Sequence, residues 1–210
     1  MPHDDEQLVA AIRQGDAQAF ATLVERHSPA MIRIALAHVP TRAAAEEAVQ
    51  ETWIAVLRGI DRFEGRAQLK TWIFRILTNV AIRTGTRERR SLPFSALADA
   101  EAGGDPVVDP ERFLPHDHER YPGHWALPPA RWPTPEEGLL AAETRAVIAA
   151  AIAALPPAQR TVISLRDVEG WSTEEVGEAL EITPGNQRVL LHRARSRVRA
   201  AIERHVGGPG

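Results

Sequence analysis

The residues best suited to chemistry lie near the end of the chain. Ile182 to Arg199 reads ITPGNQRVLLHRARSRVR, with five arginines, one histidine and no acid. The chain as a whole carries a net charge of −3, so this concentration is local. On a helix starting at Pro184, Val189, Leu190, Ala194, Val198 and Ile202 can form a buried stripe. Arg188, His192, Arg195 and Arg199 then step by four, three and four along an outer face, flanked by Arg193 and Arg197. Such a helix suits a DNA groove. Asn186, Gln187 and Arg188 at its start would approach base edges, where Asn and Gln can bond adenine and Arg can bond guanine, and Pro184 lies with them in the DNA-binding set. The later arginines would neutralise phosphates. The plainer reading is a solvated basic helix end, which suits the helix dipole.

Other chemistry has little support. With no cysteine there can be no disulfide, thiolate metal site or cysteine nucleophile. No Ser-His-Asp grouping and no phosphate-cradling glycine loop is apparent. His116, His118 and His124 with Asp117 could in principle hold a metal. Histidines in a proline-rich loop are more often solvated, and no cofactor or metal is expected. The start of the chain lacks a signal-peptide core, and no run of about 18 apolar residues could cross a bilayer, so a cytoplasmic location is expected.

The elements that must position the basic helix are all helical. Ser172 and Glu175 have capping-box spacing and open a short helix, STEEVGEALEI. A brief turn follows, Thr183 caps the next helix and Pro184 suits its first position. Two helices across a short turn, the second basic, form a helix-turn-helix. Before it, PEEGLLAAETRAVIAAAIAAL is helix-prone and stops at Pro156-Pro157, and AQRTVISLRDVEG is a helix ended at Gly170. In the N-terminal part, Gly15-Asp16 separates two helices, Ser28-Pro29 offers a further helix start, and Thr41 can cap RAAAEEAVQETWIAVLRGI. The clearest helix is LKTWIFRILTNVAIR. Leu69, Trp72, Ile73, Ile76, Leu77 and Val80 form one apolar stripe, and Lys70, Thr71, Arg75, Asn79 and Arg83 fall off it.

Between these parts, residues 92–137 hold nine of the 16 prolines, three basic and nine acidic residues. No long regular element survives that proline content, so the segment is a linker. Phe113, Tyr121, Trp125 and Trp132 suggest that some of it packs. The reading is all-α: helical domains at 1–91 and 138–210, joined by a long acidic, Pro-rich linker at 92–137. A DNA-binding regulator acting alone would explain the second domain but leave residues 41–83 without a task. A hydrolase using the linker histidines has no supporting spacing.

The stretch LPPAQRTVISLRDVEGWSTEEVGEALEITPGNQRVLLHRARSRVRAAI resembles domain four of bacterial sigma factors. AEEAVQETWIAVLRGIDRFEGRAQLKTWIFRILTNVAI resembles their domain two. The order and pairing are those of the group-four, extracytoplasmic-function type. The resemblance implies a non-catalytic subunit that directs RNA polymerase core to promoter DNA. It implies that Gln50, Glu51, Trp53 and Ile54 lie in or near the contact with the polymerase β′ subunit, Trp53 having core packing as its other reading. It implies that Phe63, Gln68, Lys70 and Thr71 lie around a flipped base of the minus-ten element. Asn79 would face minus-ten DNA, and Arg75 and Arg83 its backbone. Trp72, on the apolar stripe, belongs to the core by its spacing. The basic helix would read the minus-thirty-five element. Asn186, Gln187 and Arg188 stand where Thr, Val and Lys are commoner, so the minus-thirty-five sequence does not follow from the resemblance. In such factors the linker threads into the polymerase, where its acidity would imitate RNA; plain solvation is the alternative. Partners implied are polymerase core through β and β′, promoter DNA and an anti-sigma factor, without membrane insertion.

Overall fold

The computed structural model describes residues 3–86, Phe94, Ala98 and 136–206. The expectations for the linker aromatics, the His116–His124 group and the linker charge lie outside them. Among the described residues there is no strand, and the elements form two helical bundles.

The N-terminal bundle holds α1 (His3–Arg13), α2 (Ala17–Ala35), α3 (Arg42–Gly59), a 3₁₀ turn (Ile60–Arg62) and α4 (Leu69–Gly85). Gly15 takes φ +84° and Asp16 caps α2, accepting from the N–H of Gln18 at 2.9 Å and of Ala19 at 3.1 Å. Thr41 caps α3 in extended conformation. The expected break at Ser28-Pro29 does not occur, and α2 runs through Pro29. The Ser28 hydroxyl instead accepts the indole N–H of Trp53 at 3.2 Å. Helices α2, α3 and α4 bury Leu23, Met31, Ile34, Val56, Ile73 and Leu77 together. The end of α4 passes so close to the chain after α2 that a Cβ on Gly85 would lie 2.0 Å from the His38 carbonyl oxygen. Only glycine fits there.

The C-terminal bundle holds α5 (Glu136–Ala153), α6 (Pro157–Ile163), a π turn (Ser164–Val168), α7 (Thr173–Leu180) and α8 (Pro184–Val206). The helix expected from Ala158 to Gly170 thus ends early and widens. The Glu169 N–H reaches back to the Ser164 carbonyl, and the Trp171 N–H to that of Leu165. Gly170, at φ +70°, then turns the chain. Helices α5 and α6 pack on the later turns of α8, burying Leu155, Ile163, Ala194 and Val198. Helix α7 packs on its first turns.

The two bundles share one hydrophobic core. Trp171 packs edge-on against Phe74 of α4, ring centroids 4.9 Å apart, and the Lys70 ammonium lies over its ring. Arg33 pairs with Glu169, and Arg160 donates to the Leu36 carbonyl at 3.0 Å. His38 Nε2 lies 3.1 Å from Thr161 Oγ1. Thr161 gives its own proton to the Pro157 carbonyl, so His38 is the donor. The chain is therefore closed, with α7 lying on α4.

Candidate nucleic-acid interface

The helix-turn-helix is built from local rules. Ser172 Oγ accepts the Glu175 N–H at 3.1 Å, and the Glu175 carboxylate accepts the Ser172 N–H at 2.8 Å, completing the capping box. Glu181 leaves α7 in left-handed conformation, φ 56°. Thr183 Oγ1 accepts the Asn186 N–H at 3.2 Å at the start of α8.

Helix α8 is turned from its expected orientation. Gln187 is 2% exposed and faces α7, while Val189 is 38% exposed. The inward positions are Gln187, Leu190, Ala194 and Val198, spaced i, i+3, i+7 and i+11. Gln187 therefore cannot offer its amide to adenine in this conformation, and Val189 leaves the expected core stripe. The reason is packing on two sides: α7 covers one face of the first turns and α5 another face of the later ones. Neither amide atom of Gln187 finds a hydrogen-bond partner. Pro184 and Arg188 are exposed at the tip, and Asn186, His192 and Arg193 are partly so. Arg195 is held by Asp167 through two bonds of 2.8 and 2.9 Å. Arg199 pairs with Glu203 at 2.6 Å, and Arg197 with Gln159 at 3.1 Å.

The second group of residues lies on and before α4. Arg13 of α1 reaches across to donate to the carbonyls of Ile60, at 3.0 Å, and Phe63, at 2.6 Å, fixing the loop that leads into α4. Phe63 is buried, with its ring centroid 5.0 Å from that of Trp72. Lys70 pairs with Glu175 at 2.7 Å. Burial pushes the Glu175 carboxyl up. Lys70, the Ser172 N–H and Gln68 outweigh that and hold it below the usual range. Arg75 donates to the Glu178 carbonyl at 2.6 Å and lies 3.5 Å from Glu181. Thr71 is 1% exposed, and its hydroxyl has no partner. Of the residues placed off the apolar stripe, Asn79 and Arg83 are exposed and the Arg75 side chain is 42% so; Arg83 pairs with Glu51 of α3. Lys70 and Arg75 are engaged by α7 and the residue after it, which present the Glu175 carboxylate, the Glu178 carbonyl and the Glu181 carboxylate to this face. Sequence reasoning could not see it, because Lys70 and Arg75 look solvated on an isolated amphipathic helix.

On the outer side of α3, Gln50 and Glu51 are exposed, with Ile54 at 49% and Leu57 at 45%. Leu57 lies one turn beyond Ile54 and escaped the sequence reading, although its i+3 spacing signals it. Trp53 is instead core. It is 7% exposed, packs edge-on against Phe20 and donates to Ser28, so it is removed from the outer set.

Two helical bundles, one ending in a helix-turn-helix with its tip open to solvent, define a DNA-binding architecture. The description "Sigma-70 region 2" matches residues 23–91, and "Sigma-70, region 4" matches residues 145–198. The ECF RNA polymerase sigma-E factor of Haemophilus influenzae is 30% identical over 95% of this chain and 95% of its own length. The RNA polymerase sigma-H factor of Pseudomonas aeruginosa is 28% identical over 95% and 94%. In fold, the chain is similar to CnrH, solved in complex with the cytosolic domain of CnrY. The TM-score is 0.56 at 21% identity, over 93% of this chain and 95% of that one. It is also similar to RpoE of Bartonella quintana, solved in complex with the anti-sigma factor NepR, with TM-score 0.53, 21% identity and coverage of 89% and 98%. The chain belongs to the sigma-70 family and is a sigma factor of the ECF type. That family comprises specificity subunits of transcription rather than enzymes.

Proposed function

We propose that this chain directs RNA polymerase core to a set of promoters in the cytoplasm, with residues 1–91 reading the minus-ten element and residues 138–210 the minus-thirty-five element. Residues 92–137 connect them. One observation carries the assignment best: both sigma regions occur in order in one chain, and Arg188 stands exposed at the start of the second helix of its helix-turn-helix. Arg188, with Pro184, Asn186, His192 and Arg193, would enter the major groove, and Arg195 and Arg199 would serve phosphates after exchanging their acidic partners. Gln68, Lys70, Arg75, Asn79 and Arg83 would act on minus-ten DNA. Phe63 and Thr71 would do so only after rearrangement, because both are buried. Gln50, Glu51 and Ile54, joined by Leu57, would dock on polymerase through an apolar patch with a polar rim.

On this assignment the closed chain cannot grip minus-ten DNA. Lys70 is occupied by the Glu175 carboxylate and Arg75 by the Glu178 carbonyl of α7, so α7 stands where phosphates would lie. The bundles separate before that half of the promoter is engaged. An anti-sigma factor, such as the NepR bound to the solved RpoE, would act on the same equilibrium.

The test is run-off transcription with purified bacterial core polymerase and a library of double-stranded promoters. Specific transcripts that require this protein are expected, and Arg188→Ala should abolish them at the selected promoters. Absence of transcripts together with failure to co-elute with core would overturn the assignment.

A further inference from the structure

The rotation of α8 exchanges the roles of two side chains. Gln187 points at α7, where its Oε1 lies 4.0 Å from the position a Cβ on Gly177 would take. Val189 follows two residues later, roughly 200° around the helix, so it faces almost directly away from α7. It is among the few large apolar side chains left exposed among the described residues. The others at that level of exposure are Ile54 and Leu57 on α3 and Val168 in the π turn. The same side of α8 two turns on is covered, with Ser196 fully buried, so only the first turns can enter a groove. Arg188 precedes Val189 on this open tip, and His192 and Arg193 lie one turn further on.

We infer that Val189 is a specificity-determining residue of this chain and reads the C5-methyl group of a thymine in the minus-thirty-five element. This rests on the reading of α8 as the minus-thirty-five helix. The chemistry is direct. In the major groove a thymine differs from every other base by an exposed methyl group, and an apolar side chain is the group that recognises it. A valine has no donor or acceptor for a base edge. Its burial against a methyl is favourable, and its burial against the N4 amino group of cytosine would strand a donor. Its β-branched side chain is stiff on a helix, so the contact selects one base position. Arg188 beside it would bond guanine, so the two residues together specify a thymine near a guanine.

Deoxyuridine, which lacks only the methyl, isolates the contact. A minus-thirty-five sequence is first selected with the full protein and core polymerase. Each of its thymines is then replaced singly by deoxyuridine, and promoter occupancy is measured for the wild-type holoenzyme and for Val189→Ala. One replacement should weaken the wild type about four-fold, the worth of one buried carbon group. The same replacement should leave Val189→Ala unchanged, while on natural DNA that variant should already bind less tightly. Val189 is exposed, so the variant should melt at the wild-type temperature. A selected element without thymine, or a deoxyuridine penalty equal in wild type and variant, would overturn the inference while leaving the sigma-factor role intact. Failure to select any promoter would instead remove the underlying reading, and the inference with it.

Discussion

Replacing Gln187 with methionine should stabilise the protein without changing the promoters it uses. Gln187 is almost fully enclosed between α7 and α8, and both ends of its amide lack partners. A buried unpartnered polar group costs about 1–3 kcal/mol. Methionine has a similar volume, keeps the flexible stem and carries no strong donor or acceptor. Imperfect packing of the thioether offsets part of the gain, so the net expectation is about 1–2 kcal/mol. With a urea dependence of about 2 kcal/mol per molar, the midpoint should rise by about 0.5–1 M. The assay is equilibrium urea unfolding of the full chain followed by helical circular dichroism, with run-off transcription from the selected promoters in parallel. A lower midpoint would mean that the amide is hydrogen-bonded after all. A higher midpoint with altered promoter choice would mean that Gln187 reaches DNA in the open chain. The first result would refute the unpartnered state of the amide, and the second the inward orientation of this side chain.

Acidification should weaken the closed form. Burial, with Arg160 as the lesser cause, pushes His38 down to about 4 from an ordinary value of 6.5. The contribution is fully present above pH 6.5 and is lost as pH falls toward 4, because the open or unfolded chain takes the proton first. The loss should reach about 1–3 kcal/mol once residual solvent contact of the ring is allowed for, and His38→Gln should flatten the profile of melting temperature against pH. Lys70→Glu should open the chain by setting two carboxylates against each other. Small-angle scattering should show the expansion, and adding Glu175→Lys should reverse it; the two side chains are only 30% and 17% exposed, so facing carboxylates there cost about 3 kcal/mol, enough to offset closure. Gly85→Ala should cost about 3 kcal/mol or more in thermal unfolding, because its Cβ would meet the His38 carbonyl oxygen. A melting temperature within a degree or two of wild type would contradict that close approach.

Much of the fold is legible in short signals. Asp16, Thr41 and the Ser172–Glu175 box each start a helix where their side chains can accept orphan N–H groups. The stripe from Leu69 to Val80 faces inward as its period requires. Pro29 misleads, because Ser28 has a tertiary partner in Trp53 that outweighs its capping tendency. The phase of α8 misleads for a related reason. A helix packed by α7 at one end and by α5 and α6 at the other has no single stripe, so apolar spacing alone sets its rotation incorrectly at Gln187 and Val189. The cover over Lys70, Thr71 and Arg75 is illegible in principle from α4 itself. It depends on a helix about a hundred positions away.

The closed contact between α4 and α7 has a consequence for the order of assembly. A ligand that needs the open chain sees an affinity reduced by the fraction of molecules that are open. If closure is favoured by about 3 kcal/mol, roughly one chain in 150 is competent at any moment, and the apparent affinity falls by that factor. Ile54 and Leu57 on α3, and Arg188 and Val189 on α8, are exposed already and carry no such reduction. Capture should therefore begin through these outer faces. The face of Lys70 and Arg75 joins last, as a step whose rate is independent of DNA concentration once the outer contacts are made.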